Sequence, residues 1–148
     1  MHTDDNRSDP RNEPHSDPRH DRHAAIRATF EASQAGRLHF GQVIRQLLQA
    51  QVESYQVDNR AGRTTCYLAG DEVLDLSFAP PLEPITQAFD AEALRAAIRA
   101  AQQGEVMYPQ FKQRSQQAGC TGYTVWLTGR QVSYFGRRGE THVEHFPA

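Results

Sequence analysis

The fold is decided by two stretches, GRLHFGQVIRQLLQAQVESYQV at residues 36–57 and GEVMYPQFKQRSQQAGCTGYTV at residues 104–125, which align at an offset of 68 residues. Tyr55 and Val57 near the end of the first stretch match Tyr123 and Val125 in the second. The other matched positions keep an apolar or aromatic character: Leu38 with Val106, Phe40 with Tyr108, Val43 with Phe111, Ala50 with Ala118 and Val52 with Cys120. Because the matches keep their order and chemistry, the pattern indicates an internal duplication.

Each copy is predicted to open with two helices. Helix-spaced apolar residues precede Gly36 in the first copy, and Asp90 can cap a helix that ends at Gly104 in the second. A second helix follows in each copy. Its apolar stripe in the first copy is Phe40, Val43, Ile44, Leu47 and Leu48, and its counterpart begins near Pro109 with Phe111 facing inward.

The apolar period then changes to two, which is typical of strands. First strands lie around Tyr55 and Tyr123, second strands at residues 63–68 and 130–135, and third strands at residues 73–78 and 141–146. A one-residue slip in the hairpin turn aligns Gly62-Arg63 with Gly129-Arg130. We therefore predict an α+β fold of two tandem ααβββ repeats, each a helical hairpin plus a three-stranded antiparallel meander, related by a pseudo-twofold and sharing one core.

The predicted domain organisation has two parts. Residues 1–23 are polar and proline-rich, which predicts a disordered N-terminal tail. Residues 24–148 form a single domain, composed of a repeat at 24–79, a proline-rich linker at 80–84 and a repeat at 85–148. The net charge of -2 comes from the tail, so the folded part is neutral and no nucleic-acid partner is expected.

Composition also predicts where the protein acts. The first 23 residues lack the apolar stretch of a secretory signal, and no run approaches the ~20 apolar residues that span a bilayer. The chain has two cysteines, which do not suggest a disulfide framework. We expect a cytoplasmic location and no membrane partner.

Four further stretches resemble the YbcV-like family of small uncharacterised bacterial and prophage-associated proteins. They are GEVMYPQF at residues 104–111, AGCTGY at 118–123, YFG at 134–136 and THVEHF at 141–146. The resemblance covers roughly residues 24–147 and implies an α+β fold. It brings no established activity, cofactor or catalytic residue.

Candidate interaction residues lie in the predicted strands. Trp126 replaces Asp58 of the first repeat, so it either marks a binding or dimer patch or fills a gap in the core. Arg63 and Arg130 each follow a turn glycine, where they form two symmetric anion sites or are exposed cations of the turn. Tyr123 and Tyr134 are candidates for ligand contacts, with sheet pairing as the alternative.

Candidate metal ligands lie on the last strand. Alternation places His142 and Glu144 on one face and His145 on the other. A closed site needs further ligands, for which His39, Glu140 and Cys120 are candidates. The alternative is a surface-facing edge strand that carries polar residues.

The residues contain no phosphate-binding loop, nucleophile elbow or Cys-x-x-Cys motif. We therefore interpret the protein as a binding or interaction module that recognises a protein or small-molecule ligand or forms a homodimer. The catalytic residues and cofactor are unknown, and no cofactor is expected. The alternative hypothesis is a small metal-dependent enzyme that uses the C-terminal His/Glu cluster.

Overall fold

The computed structural model describes residues 17–79 and 83–147, which form four helices and six strands. The predicted α+β class and the twice-repeated order of two helices and three strands are confirmed. The first repeat contains α1 Pro18–Gln34, α2 Phe40–Gln49, β1 Val52–Asp58, β2 Arg63–Leu68 and β3 Val73–Ser77. The second contains α3 Ala91–Gln102, α4 Tyr108–Gln117, β4 Gly122–Trp126, β5 Gln131–Phe135 and β6 Thr141–His145.

All six strands form one antiparallel sheet in the order β3-β2-β1-β4-β5-β6. The helices cover one face of this sheet, because the core joins helix residues such as Phe30 and Ile98 to strand residues such as Tyr55 and Val125. The other face carries the exposed side chains of Tyr67 and Trp126. The protein is therefore a two-layer sandwich with one core that both repeats share. Within the described residues, no helix is long and apolar enough to cross a membrane.

The pairing of β1 with β4 shows the pseudo-twofold relation directly. Tyr55 lies opposite Val125, Val57 lies opposite Tyr123, and Gln56 faces Thr124 between them. The 68-residue offset exchanges Tyr55 with Tyr123 and Val57 with Val125, so swapping the repeats leaves this register unchanged. The pseudo-twofold axis therefore passes between β1 and β4.

The predicted slip in the second strands is wrong. Tyr55 lies opposite Cys66, and Tyr123 lies opposite Tyr134, so Cys66 and Tyr134 are counterparts at the same offset of 68 residues. A one-residue slip would have sent Tyr134 to the other face of the sheet. Arg130 instead takes the turn position of Gly62, and both have positive φ, 57° and 66°. Arg63 and Arg130 are therefore not equivalent.

Helix α1 begins inside the segment that the composition assigned to a disordered tail. Pro18 is its first residue, and the Asp17 side chain accepts a hydrogen bond from the backbone N–H of Arg19 at 3.0 Å. His23 then reaches Glu72, on the turn between β2 and β3, at 2.7 Å. Residues 17–23 are thus part of the folded domain and not of a disordered tail. Their composition did not indicate this, because the partner Glu72 lies far away in the sequence. The rest of the predicted tail, residues 1–16, and linker positions 80–82 lie outside the described residues.

The local signals for the other helices are confirmed with one exception. Asp90 accepts a hydrogen bond from the backbone N–H of Ala93 at 3.0 Å and caps α3, while Pro109 lies in the first turn of α4. Leu48, predicted on the buried stripe of α2, is 45% exposed. Its neighbour Leu47 is fully buried and contributes to the core.

Candidate functional site

A cavity of about 80 Å³ lies between the helices and the central strands, on the pseudo-twofold axis. Twenty of its lining residues form ten pairs related by the 68-residue offset. These pairs are Phe30 and Ile98, Ser33 and Ala101, Gln34 and Gln102, Leu38 and Val106, His39 and Met107, Phe40 and Tyr108, Val43 and Phe111, Tyr55 and Tyr123, Val57 and Val125, and Thr64 and Val132. The cavity is therefore built jointly by both repeats.

The turns between the two helices of each repeat meet on the helix side of this cavity. Gly36 lies against Pro109 and Met107, and its counterpart Gly104 lies against His39. Both glycines have a φ of 74°. Glycine adopts this conformation readily, which is why the helices end where they do.

Tyrosines form the floor of the cavity. Tyr55, Tyr123 and Tyr134 project from neighbouring strands, and the Tyr123 hydroxyl donates a hydrogen bond to the Tyr108 hydroxyl at 3.0 Å. Burial raises the pKa of all four phenols above the ordinary value of 10.0. The hydroxyls are therefore neutral near pH 7 and can donate or accept hydrogen bonds.

The remaining lining residues all come from the second repeat. They are Tyr134, Glu144, His145, Phe146 and Pro147. Val132 lies opposite Glu144 in the sheet, as Thr64 lies opposite Leu76 in the first repeat. Glu144 therefore occupies the position of a fully buried leucine, and the same offset places His142 at the position of Leu74.

His142 and Glu144 are joined by a hydrogen bond of 2.8 Å between Nε2 and Oε1. Their side chains are only 13% and 26% exposed, because they lie on the helix side of β6. The interpretation of this strand as a polar surface edge is wrong for these two residues. The His142 ring also lies 6.4 Å from the ring of Tyr134, on the cavity floor.

The structure does not bring the candidate metal ligands into one cluster. Alternation directs His145 to the other face of β6, and among residues 17–79 and 83–147 no group of three or more His, Cys, Asp and Glu side chains could hold a metal ion. Of the candidate further ligands, Cys120 is fully buried, and Glu140 accepts a hydrogen bond from the backbone N–H of Arg138 at 2.7 Å. His39 begins α2 on the other side of the cavity.

Both cysteines are buried free thiols. Burial raises the pKa of Cys66 to about 12 and that of Cys120 to about 11. Because the thiolate is the nucleophilic form, neither residue is suited to covalent chemistry near pH 7.

The two candidate arginines lie in different surroundings. Arg63 is exposed at the start of β2, on the open face of the sheet. The Arg130 guanidinium stacks on Phe146 at 5.7 Å and donates a hydrogen bond to the Pro147 carbonyl at 3.4 Å. Arg130 thus supports the C-terminal segment that forms one wall of the cavity.

Trp126 lies on the open face of the sheet and is 42% exposed, so it does not fill a gap in the core. Its Nε1 donates a hydrogen bond to the Ser133 hydroxyl at 3.4 Å. Tyr67, Val73 and Val143 are the other large exposed apolar residues of this face. The open face and the cavity are therefore two separate candidate surfaces.

Sequence reasoning missed two polar contributors to the cavity. Tyr108 stands where the first repeat has Phe40, and Gln34 lines the cavity from the end of α1. The substitution of a tyrosine for a phenylalanine between the two copies was a visible signal for Tyr108. Gln34 carried no such signal, because its counterpart Gln102 is the same residue type.

Comparison with known proteins gives a family for this α+β duplication. Residues 24–144 match the family described as Protein of unknown function (DUF1398), so the chain belongs to that family. Similar proteins include the uncharacterized proteins Rv2012 and MT2067 of Mycobacterium tuberculosis and Mb2035 of Mycobacterium bovis. Each is 39% identical to this chain over 61 residues, which cover 41% of this chain and 37% of the mycobacterial protein. The match therefore spans about a third of the length of these relatives.

Proposed function

We propose that this protein is a small-molecule binding module whose ligand occupies the cavity on the pseudo-twofold axis. The observation that carries the proposal is that aromatic walls and converging polar groups of both repeats meet there. Concave sites with apolar walls and a few directed polar groups are the usual form of ligand sites. Here the polar groups are the hydroxyls of Tyr108 and Tyr123, the amide of Gln34 and the carboxylate of Glu144.

The size of the cavity limits the ligand. At about 80 Å³ it is roughly half the ~150 Å³ of an engineered apolar cavity that admits benzene. The enclosed part of the ligand is therefore comparable to a short alkyl chain. Exposed lining residues, among them His39 and Gln102, mark the side where a longer ligand would reach solvent.

The proposal is tested by filling the cavity from its floor. Val57 is buried and lines the cavity, whereas Val73 is 51% exposed on the open face, so Val57→Phe and Val73→Phe make the same change in two places. In two-dimensional NMR titrations with 1-butanol, we expect saturable shifts at residues around Tyr55 and Tyr123 in the wild type and in Val73→Phe. Val57→Phe should lose them.

Thermal melts of both variants establish that the fold is retained, since overpacking a core costs about 1–3 kcal/mol. If folded Val57→Phe gives the same saturable shifts as the wild type, the cavity is not the binding site. Absence of saturable shifts from the wild type with 1-butanol and with n-butylamine would contradict the proposal itself.

The open face around Trp126 supports a second proposal, that two copies of the chain associate there. Four of the five large apolar residues that are exposed within the described residues lie on this face, namely Tyr67, Val73, Trp126 and Val143. Val73, Tyr67 and Trp126 also fall in one row across neighbouring strands, with Ser54 between the last two. A row of this kind presents a continuous partly apolar strip to a partner.

Two further proposals concern the family relationship of the chain and its location in the cell. We propose that the chain is related to the YbcV-like proteins, which the stretches quoted above support; one of them, GEVMYPQF, supplies part of the cavity wall. A cytoplasmic location is also proposed, and the low cysteine content, two residues that do not suggest a disulfide framework, supports it.

A further inference from the structure

We infer that the ligand of the cavity is a compact organic cation, a primary amine on a short apolar body, and that Glu144 is its counter-ion. The inference rests on the proposed function and specifies its substrate class. It starts from the one helix-facing position where a buried leucine of the first repeat, Leu76, is replaced by a carboxylate that lines the cavity.

The charges around the cavity favour a cation. Within the described parts of the chain, the lining residues include no Lys or Arg, and Glu144 is the one carboxylate among them. The lining histidines are His39 and His145, both exposed. An anionic ligand would therefore meet no permanent positive charge, and it would be repelled by Glu144. A cation would form a charge-assisted hydrogen bond with the carboxylate in partly desolvated surroundings.

His142 fixes the position of this carboxylate. The bond from His142 Nε2 to Glu144 Oε1 uses one carboxylate oxygen, and the other oxygen, Oε2, has no hydrogen bond to another described residue in the structure. Because His142 does not line the cavity, it acts on the ligand only through Glu144. His142 is thus a positioning residue, while Glu144 is the group that contacts the ligand.

The aromatic walls suit the same ligand. The ring of Tyr134 lies among the lining residues beside Glu144, and Tyr55 and Tyr123 form the floor. Phe146 also lines the cavity, but the Arg130 guanidinium stacks on its ring at 5.7 Å, so the contact with a ligand cation is assigned to the tyrosines. Ring faces attract cations, and their apolar surfaces accept a short alkyl chain. A carboxylate beside several aromatic rings is therefore selective for an ammonium group over a neutral or negative group of the same size.

The test compares three probes of one size, n-butylamine, 1-butanol and butanoate, by NMR titration of the full chain at pH 7. In the wild type we expect butylamine to bind about tenfold tighter than butanol, the discrimination typical of a hydrogen bond to a charged group, and butanoate to bind more weakly than both. Glu144→Gln should remove the preference for butylamine while butanol binding is retained. Glu53→Gln, an exposed carboxylate away from the cavity, is the matched control and should behave as the wild type.

Two further variants separate the roles. His142→Asn should reduce the preference for butylamine only in part, because Glu144 keeps its charge but loses its fixed orientation. Val57→Phe should abolish binding of all three probes. If the probes bind equally well, or if Glu144→Gln keeps the wild-type preference, the cation inference is overturned while the proposed cavity stands. Loss of every probe from the wild type would instead overturn the cavity.

Discussion

At the scale of single residues, two glycines lie where a neighbouring backbone segment leaves no room for a side chain. A Cβ on Gly119 would lie 2.1 Å from the carbonyl oxygen of Ala88, and its φ is 84°. A Cβ on Gly122 would lie 2.3 Å from the carbonyl oxygen of Val57, where β4 pairs with β1. The glycines of the AGCTGY stretch therefore allow this segment to pack closely against backbone elsewhere in the fold.

We predict that Gly119→Ala lowers the free energy of unfolding by at least about 2 kcal/mol, because it combines backbone strain with a clash against backbone atoms. Gly41→Ala is the control, since Gly41 is helical and a Cβ there meets nothing within 4 Å. That change should stabilise the protein by about 1 kcal/mol through helix propensity. Urea denaturation measures both values, and similar values for the two variants would contradict this account.

Sequence reasoning predicted residues whose role is local and missed those whose partners are distant. Asp90 caps the helix that directly follows it, so its role is readable from its neighbours. Gly119 meets Ala88, which precedes α3, and this contact exists only after the helical hairpin has folded back. The same reason explains why Glu144 was recognised as a polar residue but not as part of a cavity wall.

At the scale of elements, hydrogen bonds and ion pairs join α1 to the turn between β2 and β3. Glu72 accepts a hydrogen bond from Arg22 at 3.4 Å, lies 2.7 Å from His23 and is 3.3 Å from the guanidinium of Arg19. Partial burial alone would raise the pKa of Glu72, but the hydrogen bonds of His23 and Arg22 and the nearby positive charges outweigh it. The result is a pKa below the ordinary 4.5.

This lowered pKa predicts a pH dependence. A carboxylate with a depressed native pKa stabilises the folded state above its unfolded pKa, and this contribution is lost as pH falls through the native pKa. The melting temperature of the wild type should therefore exceed that of Glu72→Gln at pH 6. The difference should shrink as pH falls below 4.5.

The neighbouring carboxylate provides the control for this pH dependence. Asp71 is exposed and has a φ of 64°, a conformation that asparagine tolerates, so Asp71→Asn should melt close to the wild type. A difference between wild type and Glu72→Gln that stays constant down to pH 3 would show that Glu72 acts without its charge.

The order and type of the elements were predictable, whereas the register was not. Strand periods placed the second and third strands of both repeats within one residue of their observed bounds, and α1 begins earlier than predicted because Glu72 holds it. The one-residue slip arose from matching Gly62-Arg63 with Gly129-Arg130 by residue type. Register is set by which side chains face the core, and the core-facing counterpart of Tyr134 is Cys66.

At the scale of the whole molecule, one layer of helices leaves the other face of the sheet open. Six strands spaced by about 4.8 Å, of which four have five residues at about 3.4 Å each, give a face of roughly 24 by 17 Å. This is about half of the ~800 Å² that each partner buries in a standard interface. A dimer formed through this face alone is therefore weak and depends on concentration.

We predict that sedimentation velocity detects a monomer–dimer equilibrium of the wild type at high micromolar concentration. Trp126→Asp, which installs the residue type of its repeat counterpart Asp58, should shift the equilibrium to the monomer. Leu48→Asp changes a similarly exposed apolar residue on α2 and should leave the equilibrium unchanged. Equal dimerisation of the three proteins would exclude the Trp126 face as the contact.

The duplication predicted that the two repeats share a core, but the way they join could not be read from the residues. Two three-stranded meanders can pair through several combinations of strands, and the tyrosine pattern of β1 and β4 is the same for each combination. The cavity follows from that choice, because its ten pairs come together only when β1 and β4 are neighbours.

A binding site on a pseudo-twofold axis has an orientational degeneracy. If its walls were fully symmetric, a ligand would bind equally well in two poses related by half a turn, and the two would exchange. Glu144 makes the poses unequal in energy, because a carboxylate lines one end of the cavity while its counterpart in the first repeat, the aliphatic Leu76, is not among the residues that line the other end. An amine in this cavity should consequently show a single set of intermolecular NMR contacts, whereas in Glu144→Leu the preference for this one direction should weaken.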